Sequence, residues 1–315
     1  MGILNHNNLR PFSMRSGLPT LMPSNKQING RIDGNRFQFQ PSDHPNQFTN
    51  CDFPRNLEEY TDEELLYTVN KQNFRSPEFN KDDADNTVMT VGCSHTYGIG
   101  VRDFEVWGSR LTKKLDMNWW NIGVGGIGAD ACLYLVKQFF EEGYIPNKLA
   151  ILWPSVERKF LIVEDDTQID NALNDYILNT STDNNHSNTV RSLNLWQFSS
   201  FAKDFMDSSD SANVKRAIKG QLLLSSQQSY YEFLMIRDYL IDLCALNDVE
   251  FAEMFTCTHG HELATKRSRR KVKTSNIVTG FTKHIDWSNL ARDGQHFGKK
   301  PHNSMARDFY RLFTE

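Results

Sequence analysis

The chain has 315 residues, of which 23% are charged and 39% are hydrophobic, and a chain of this length and composition can bury a sizeable core. Its net charge of −4 argues against a general nucleic-acid-binding protein. No apolar run reaches the roughly 18 residues that a membrane helix needs. The first ten residues lack an apolar segment, so we expect no secretory signal and synthesis in the cytoplasm. The five cysteines are odd in number and widely spaced, which favours reduced thiols.

The N-terminal 85 residues are expected to be organised separately from the rest. Residues 1–50 are rich in Asn, Gln, Pro, Ser and Gly, which predicts an irregular arm, either disordered or packed on a neighbour. A protein partner or a second copy of the chain would bind through this arm, and the main domain is expected to fold without it. Residues 51–85 are predicted to be a lead-in segment on the main domain, with a small hairpin or lip over residues 67–75.

Residues 86–315 are predicted to be one α/β domain. Buried strands are expected at 88–91, 119–122, 149–153 and 249–255, and the first three belong to strand–helix steps that recur within about 70 residues. The first of these helices is predicted from Asp103 to Leu115, with Phe104 on its apolar face. Such alternation is typical of a parallel sheet with helices on both faces. A polar, Asn- and Ser-rich insertion interrupts the rhythm at about residues 160–215.

The first strand ends in a tight turn that contains Ser94. A serine at the carboxyl end of a strand lies where open α/β sheets bind their ligands, and a helix start there would favour a developing negative charge. Ser94 is therefore a candidate nucleophile. The alternative is that Ser94 only caps the following helix.

A serine nucleophile needs a base, and the base needs an orienting group. Asp293 and His296 lie three residues apart after the last strand, and Gly294 between them permits a tight turn. The carboxylate of Asp293 can then accept the Nδ1–H of His296 and leave Nε2 free for a serine.

The glycine-rich stretch 123–128 has three interpretations. Gly123-x-Gly125-x-x-Gly128 matches the dinucleotide-binding fingerprint, although it follows the second strand instead of the first. The favoured interpretation is a turn whose N–H groups form part of an oxyanion hole. It could also be only a tight strand-to-helix connection.

Three segments together resemble blocks I, II and V of the SGNH (GDSL-type) hydrolases, and the residues 67–75 resemble the lead-in of some bacterial and phage members. The segments are Gly92-Cys93-Ser94, Asn121-Ile122-Gly123-Val124-Gly125-Gly126 and Asp293-Gly294-Gln295-His296. The resemblance implies a three-layer α/β/α sandwich with a parallel, flavodoxin-like sheet. It implies Ser94 as nucleophile, His296 as base and Asp293 as its orienter. It also implies the N–H groups of Gly126 and Ser94 as oxyanion donors, and no metal or organic cofactor.

Two departures from that family stand out. Cys93 replaces the family's Asp, and we expect it to be a buried small residue and not the nucleophile. The third strand should be followed by an Asn that donates to the oxyanion, but the sequence has Pro154 and Ser155 there. Pro154 has no N–H to give, so the hydroxyl of Ser155 is the predicted replacement. An α/β-hydrolase elbow is not matched, because Thr96 stands where its second glycine belongs.

These features predict a serine esterase that acts on small acyl esters, with O-acetyl groups on a glycan as the expected substrate. The alternative is a weak or inactive SGNH-like structural or glycan-binding protein, a virion-associated part that uses the polar arm. Neither nucleic acid nor membrane is an expected partner. Cys257-x-His259-x-His261 lacks a fourth zinc ligand, so no metal site is predicted there. The basic run 266–273 is interpreted as a solvated loop or as a surface for an acidic polysaccharide.

Overall fold

The computed structural model describes residues 9–12, 31–33, 36–39, 56–61, 64–156, 158–163, 190–196, 226–256, 258–267, 273–274 and 289–315. Within these ranges the strands are β1 (Leu9–Phe12), β2 (Arg31–Asp33), β3 (Arg36–Phe37), β4 (Tyr67–Thr68), β5 (Thr87–Gly92), β6 (Asn118–Asn121), β7 (Lys148–Trp153), β8 (Arg158–Val163), β9 (Val190–Trp196), β10 (Glu250–Phe255) and β11 (Lys273–Thr274). The α-helices are α1 (Ser94–Tyr97), α2 (Trp107–Leu115), α3 (Ala129–Glu141), α4 (Ser226–Leu246), α5 (Thr258–Glu262) and α6 (Lys299–Thr314).

The main sheet is parallel and has the strand order β11-β10-β7-β5-β6. Its central strand β5 pairs with β6 on one side and with β7 on the other, and the register places Gly92 beside Leu152. The carboxyl ends of β5, β6, β7 and β10 therefore meet at one edge, as the strand–helix alternation in the sequence predicts. The turn that contains Ser94 leaves the sheet at this edge.

Helices cover both faces of this sheet, which confirms the predicted three-layer α/β/α sandwich. Side chains alternate along each strand, so that Met89 and Ile151 enter the core beneath α3 and α4, whereas Val88 and Leu152 enter the core beneath α2 and α6. A strand covered on both faces buries successive side chains, and this explains why the segments of β5 and β7 are almost entirely apolar.

The helix α2 is shorter than the sequence pattern from Asp103 to Leu115 predicts. The helix α2 begins at Trp107, and Phe104 lies in a preceding 3₁₀ turn with 67% of its surface exposed. That turn is closed by the carboxylate of Glu105, which accepts the N–H of Arg102 at 3.1 Å. The predicted placement of Phe104 on the apolar face was wrong, because the local capping interaction separates the turn from the helix.

The lead-in segment packs on the turn that follows α1. Its Tyr67 and Leu65 share a buried cluster with Tyr97 and Ile99. Of the hairpin or lip predicted over residues 67–75, the hairpin was wrong: β4 pairs with β3 instead, and the side chain of Asn70 closes a tight turn by accepting the N–H of Phe74 at 3.0 Å.

The N-terminal arm contains short strands in two small antiparallel sheets. β1 pairs with β9, which pairs with β8, whereas β2 pairs with β3 and β3 with β4. The strands β8 and β9 belong to the predicted insertion, whose residues 164–189 and 197–215 lie outside the described ranges. The division of the chain at residues 50 and 85 stays a prediction.

Candidate active site

Ser94 begins α1 directly after β5, and two glycines shape the backbone around it. Gly92 has a φ of +149°, and a Cβ there would lie 2.6 Å from the carbonyl oxygen of Leu152. Gly98 ends the helix in the left-handed conformation with a φ of +84°. Any side chain at Gly92 would push β5 and β7 apart. Ser94 and Cys93 are both buried, and Cys93 is part of the core beneath α3, as expected for a small buried residue.

A buried arginine from the lead-in segment holds the turn after α1. Arg75 donates from Nη1 to the carbonyl oxygen of Gly98 and from Nη2 to that of Val101 at 2.7 Å. Its Nε donates to Asp103 at 2.7 Å, and its guanidinium lies 4.5 Å from the centre of the Tyr67 ring. The sequence analysis did not identify this residue. The only signal in the sequence was its place at the end of residues 67–75, the segment that resembles the lead-in of some bacterial and phage SGNH hydrolases.

Asp293 and His296 form the pair that their spacing predicts. The Nδ1 atom of His296 lies 2.5 Å from Oδ2 of Asp293, while Oδ1 accepts the N–H groups of Gln295 at 3.0 Å and of His296 at 2.9 Å. Gly294 adopts a φ of +67°, and its N–H donates to the carbonyl oxygen of Ala291 at 2.9 Å. Both carboxylate oxygens are thus used, and Nδ1 of His296 must carry the proton, which leaves Nε2 as the basic atom.

The Asp293 carboxylate is kept ionised in spite of its burial. Burial acts to raise its pKa, but the charge of His296 and the hydrogen bonds from His296 and Gln295 outweigh this effect, and the pKa of Asp293 lies below its usual value. A negative charge beside His296 stabilises the imidazolium that a general base becomes when it takes a proton. The His296 ring is 17% exposed, so it remains accessible from the site.

The structure brings α1 and the Asp293–His296 loop to the same edge of the sheet. The N–H of Arg292 donates to the carbonyl oxygen of Gly100 at 2.9 Å. The ring of His95, next to Ser94, lies 5.2 Å from the ring of His296. Two motifs almost 200 residues apart in the sequence therefore share one small region. The roles of Ser94, Asp293 and His296 stay predictions.

The glycine stretch after β6 packs directly on α1. Asn121 fixes it, because its Oδ1 accepts the N–H of Gly123 at 2.9 Å and its Nδ2 donates to the carbonyl oxygen of Thr96 at 3.1 Å. A Cβ at Gly123 would lie 2.7 Å from the nitrogen of Tyr97. Gly126 adopts a φ of +80° in the same turn. The turn that carries the predicted oxyanion donor Gly126 thus lies against the helix that begins with Ser94.

The dinucleotide interpretation of this stretch is not favoured by the packing. In such a site the helix start must leave room for a pyrophosphate. Here a Cβ at Gly128, the residue before α3, would lie 2.4 Å from the carbonyl oxygen of Arg158 at the start of β8. The third glycine therefore accommodates the protein's own backbone.

The segment after β7 is held in place from β10. The carbonyl oxygen of Trp153 accepts from both N–H and Oγ1 of Thr256, at 3.1 and 2.7 Å, and its indole N–H donates to Glu253 at 2.8 Å. The carbonyl oxygen of Ser155 accepts the N–H of Arg158 at 3.2 Å. Since β7 lies beside β5, this places Ser155 at the same sheet edge as Ser94.

The role of Ser155 can be tested by its replacement with alanine. If its hydroxyl donates to the oxyanion, Ser155→Ala should lower kcat by about 10–10³-fold and leave KM nearly unchanged. If Ser155 only stabilises the turn after Pro154, the variant should lose thermal stability instead of rate. Kinetics on an aryl acetate together with the midpoint of thermal unfolding distinguish the two, and a stable variant with full activity rules out the donor role.

The arm reaches the residue that precedes Asp293. Arg292 is fully buried, donates from Nη2 to the carbonyl oxygen of Gln38 at 2.6 Å and stacks on Phe39 at 4.8 Å from the ring centre. Phe37 is buried as well and stacks on Tyr67 at 5.4 Å between ring centres. Residues 36–39 are thus packed against the candidate site.

Deletion of residues 1–50 is expected to leave the two main cores folded but to lower both the unfolding midpoint and the rate of ester hydrolysis. The deletion removes two buried rings, each worth about 1.5–3 kcal/mol, and the carbonyl group that fixes Arg292. A matched deletion of residues 1–30 keeps residues 36–39 and should retain the rate. Equal losses in both deletions, or none in the longer one, would contradict this expectation.

Other kinds of site were searched for among the described residues. No group of three or more His, Cys, Asp and Glu residues there is placed to hold a metal ion. Cys257 of the Cys-x-His-x-His stretch lies outside the described ranges, as do residues 268–272 of the basic run. No helix in the described ranges has both the length and the apolar character that a membrane span requires.

Comparisons with known proteins find similarity among solved structures. No family model matches the chain, and no curated protein matches it either. The psychrotrophic esterase EstA from Pseudoalteromonas sp. is 12% identical with a TM-score of 0.39, over 73% of this chain and 97% of that chain. A family two carbohydrate esterase from Clostridium thermocellum is 11% identical with a TM-score of 0.39, over 76% and 65%. A lipolytic protein of the G-D-S-L family from Desulfitobacterium hafniense DCB-2, described as putative, is 11% identical with a TM-score of 0.29, over 72% and 99%.

The first two of these proteins are described as esterases and the third as a member of the G-D-S-L family. Identities of 11–12% and TM-scores below 0.5 do not establish that the chain belongs to their family. A functional assignment must therefore depend on the chemistry of the site.

Proposed function

We propose that the chain is a serine ester hydrolase in which Ser94 is the nucleophile, His296 the general base and Asp293 its orienting group. The observation that carries the proposal is the 2.5 Å contact between Nδ1 of His296 and a buried, ionised Asp293, on a loop that contacts the turn after Ser94. In the neutral imidazole, a proton on Nδ1 leaves Nε2 as the atom that can accept the proton of a serine hydroxyl at the same sheet edge.

The proposed reaction has two halves. Oγ of Ser94 attacks the ester carbonyl carbon while Nε2 of His296 takes its proton, and the carbonyl oxygen becomes an oxyanion. The N–H groups of Ser94 and Gly126 and the hydroxyl of Ser155 are the donors we assign to that oxyanion. When the intermediate collapses, the alcohol leaves with the proton from His296. A water molecule, deprotonated by His296, then attacks the acyl-enzyme and releases the carboxylic acid with restored Ser94.

The proposed substrates are small acyl esters, and O-acetyl groups on a glycan are the preferred class. This choice follows the resemblance of the three sequence motifs to SGNH hydrolases. Its test is the release of acetate from an acetylated polysaccharide and from an aryl acetate by the full chain and by Ser94→Ala. Release by the full chain alone supports the proposal, and equal release by the variant contradicts it.

The replacement of the expected Asn by Pro154 and Ser155 favours one second candidate, a glycan-binding protein that keeps the fold but has lost most of its activity. Loss of an oxyanion donor costs about 10²–10³ in rate. The same assay separates the candidates: glycan binding that is unchanged in Ser94→Ala, without acetate release by the full chain, would identify the second.

A further inference from the structure

A second histidine, His95, follows the candidate nucleophile in sequence and contacts the candidate base, and the proposed reaction does not use it. His95 stacks on Phe297 with 4.1 Å between ring centres and an interplanar angle of 19°. It also contacts His296 at 5.2 Å with an angle of 63°. The chain thus places this imidazole next to Ser94 in sequence and against both His296 and the residue that follows it.

We propose that His95 positions the catalytic base: its ring packs against the His296 imidazole and keeps it in the orientation that is hydrogen-bonded to Asp293. This inference rests on the proposed function, because it takes His296 to be the base. It assigns His95 a supporting role and no contact with the substrate.

The surroundings of the His95 ring keep it uncharged. Burial is the main cause that holds the pKa of His95 well below its ordinary value, and unfavourable electrostatic interactions with His296, His302 and Arg158 lower it further. His95 therefore remains neutral when His296 takes the serine proton. A second positive charge at 5.2 Å would oppose the formation of that imidazolium.

The packing indicates that His95 acts through the contacts of its ring and not through a hydrogen bond. Its Nδ1 atom is buried and has no hydrogen-bond partner among the residues that the structure describes. A buried polar atom without a partner lowers stability. Phenylalanine at this position would keep the stack on Phe297 and remove that cost, so it is the conservative replacement.

The test compares His95→Ala with His95→Phe in the full chain. We expect His95→Ala to lower kcat on an aryl acetate by about 10–100-fold with KM nearly unchanged. The His296 ring would lose its contact with the His95 ring and would no longer be held in one orientation. His95→Phe should retain kcat to within about threefold, with an unfolding midpoint no lower than that of the parent. The control Phe79→Ala removes a ring that contacts Phe139 and Trp120 in the core beneath α3, and should lower the midpoint without a change in kcat.

Two results would overturn the proposal: full kcat in His95→Ala, or a His95→Phe variant as slow as His95→Ala. A readout that needs no turnover separates this outcome from failure of the proposed function. The low-field proton resonance of Nδ1–H of His296, bonded to Asp293, should persist in His95→Phe and broaden or disappear in His95→Ala. An unchanged resonance in His95→Ala contradicts the positioning role even if the chain hydrolyses no ester.

Discussion

Asp293→Asn is expected to lower kcat for ester hydrolysis by about 10⁴-fold while the protein stays folded. The asparagine oxygen can still accept the N–H groups of Gln295 and His296, which keeps the loop closed. Its amide N–H₂ would face Nδ1 of His296, however, and would favour the tautomer with the proton on Nε2. That tautomer cannot take a proton from Ser94.

The matched control is Asp116→Asn at the end of α2, the same chemical change on an exposed residue far from the loop. Asp116 has a φ of +55°, which asparagine tolerates, so its kcat and unfolding midpoint should not change. An Asp293→Asn variant within tenfold of the parent rate would show that the Asp293–His296 pair is structural only.

Glu253→Leu is expected to lower the free energy of unfolding by about 3–5 kcal/mol. Glu253 and Arg237 are both fully buried, with Nη2 of Arg237 at 2.5 Å and Nε at 2.9 and 3.1 Å from the carboxylate. Removal of the carboxylate leaves the guanidinium charge in the core between α4 and β10. It also removes the acceptor for the indole N–H of Trp153.

Two variants make this prediction sharp. Glu250→Gln lies on the same strand and breaks a partly exposed ion pair with Lys148, so it should cost less than about 1 kcal/mol. Combining Glu253→Leu with Arg237→Met should recover much of the loss, because no buried charge is then left unpaired. Denaturant unfolding measures all three, and a loss below 1 kcal/mol in Glu253→Leu would contradict the account.

Much of the fold could be predicted because its strands are buried on both faces. The strand segments predicted at 88–91, 119–122 and 149–153 alternate with helical patterns, which is typical of a parallel sheet, and the structure has β5, β6 and β7 there. The predictions were wrong where one or two specific contacts determine the local structure. The hydrogen bond from the N–H of Arg102 to Glu105 closes a separate turn, so that α2 begins later than predicted. The pairing of β4 with β3 takes the place of the predicted hairpin.

The residues of the candidate site could likewise be predicted only in part. Ser94 and the pair Asp293 and His296 could be predicted because their motifs are local in sequence. The groups that hold them could not, since their partners are distant: Arg292 donates to the carbonyl oxygen of Gln38, which lies 254 positions earlier in the chain. His95 was missed because its contacts with His296 and Phe297 exist only in the folded chain.

If Ser94 is a nucleophile activated by His296, it should react covalently with a fluorophosphonate probe. After trypsin digestion, Ser94 lies in the peptide of residues 82–102, in which it is the only serine. We expect one adduct, on Ser94, which forms in the full chain and is absent from His296→Ala and from the unfolded protein. A folded full chain without an adduct, or with the adduct on another residue, would contradict it.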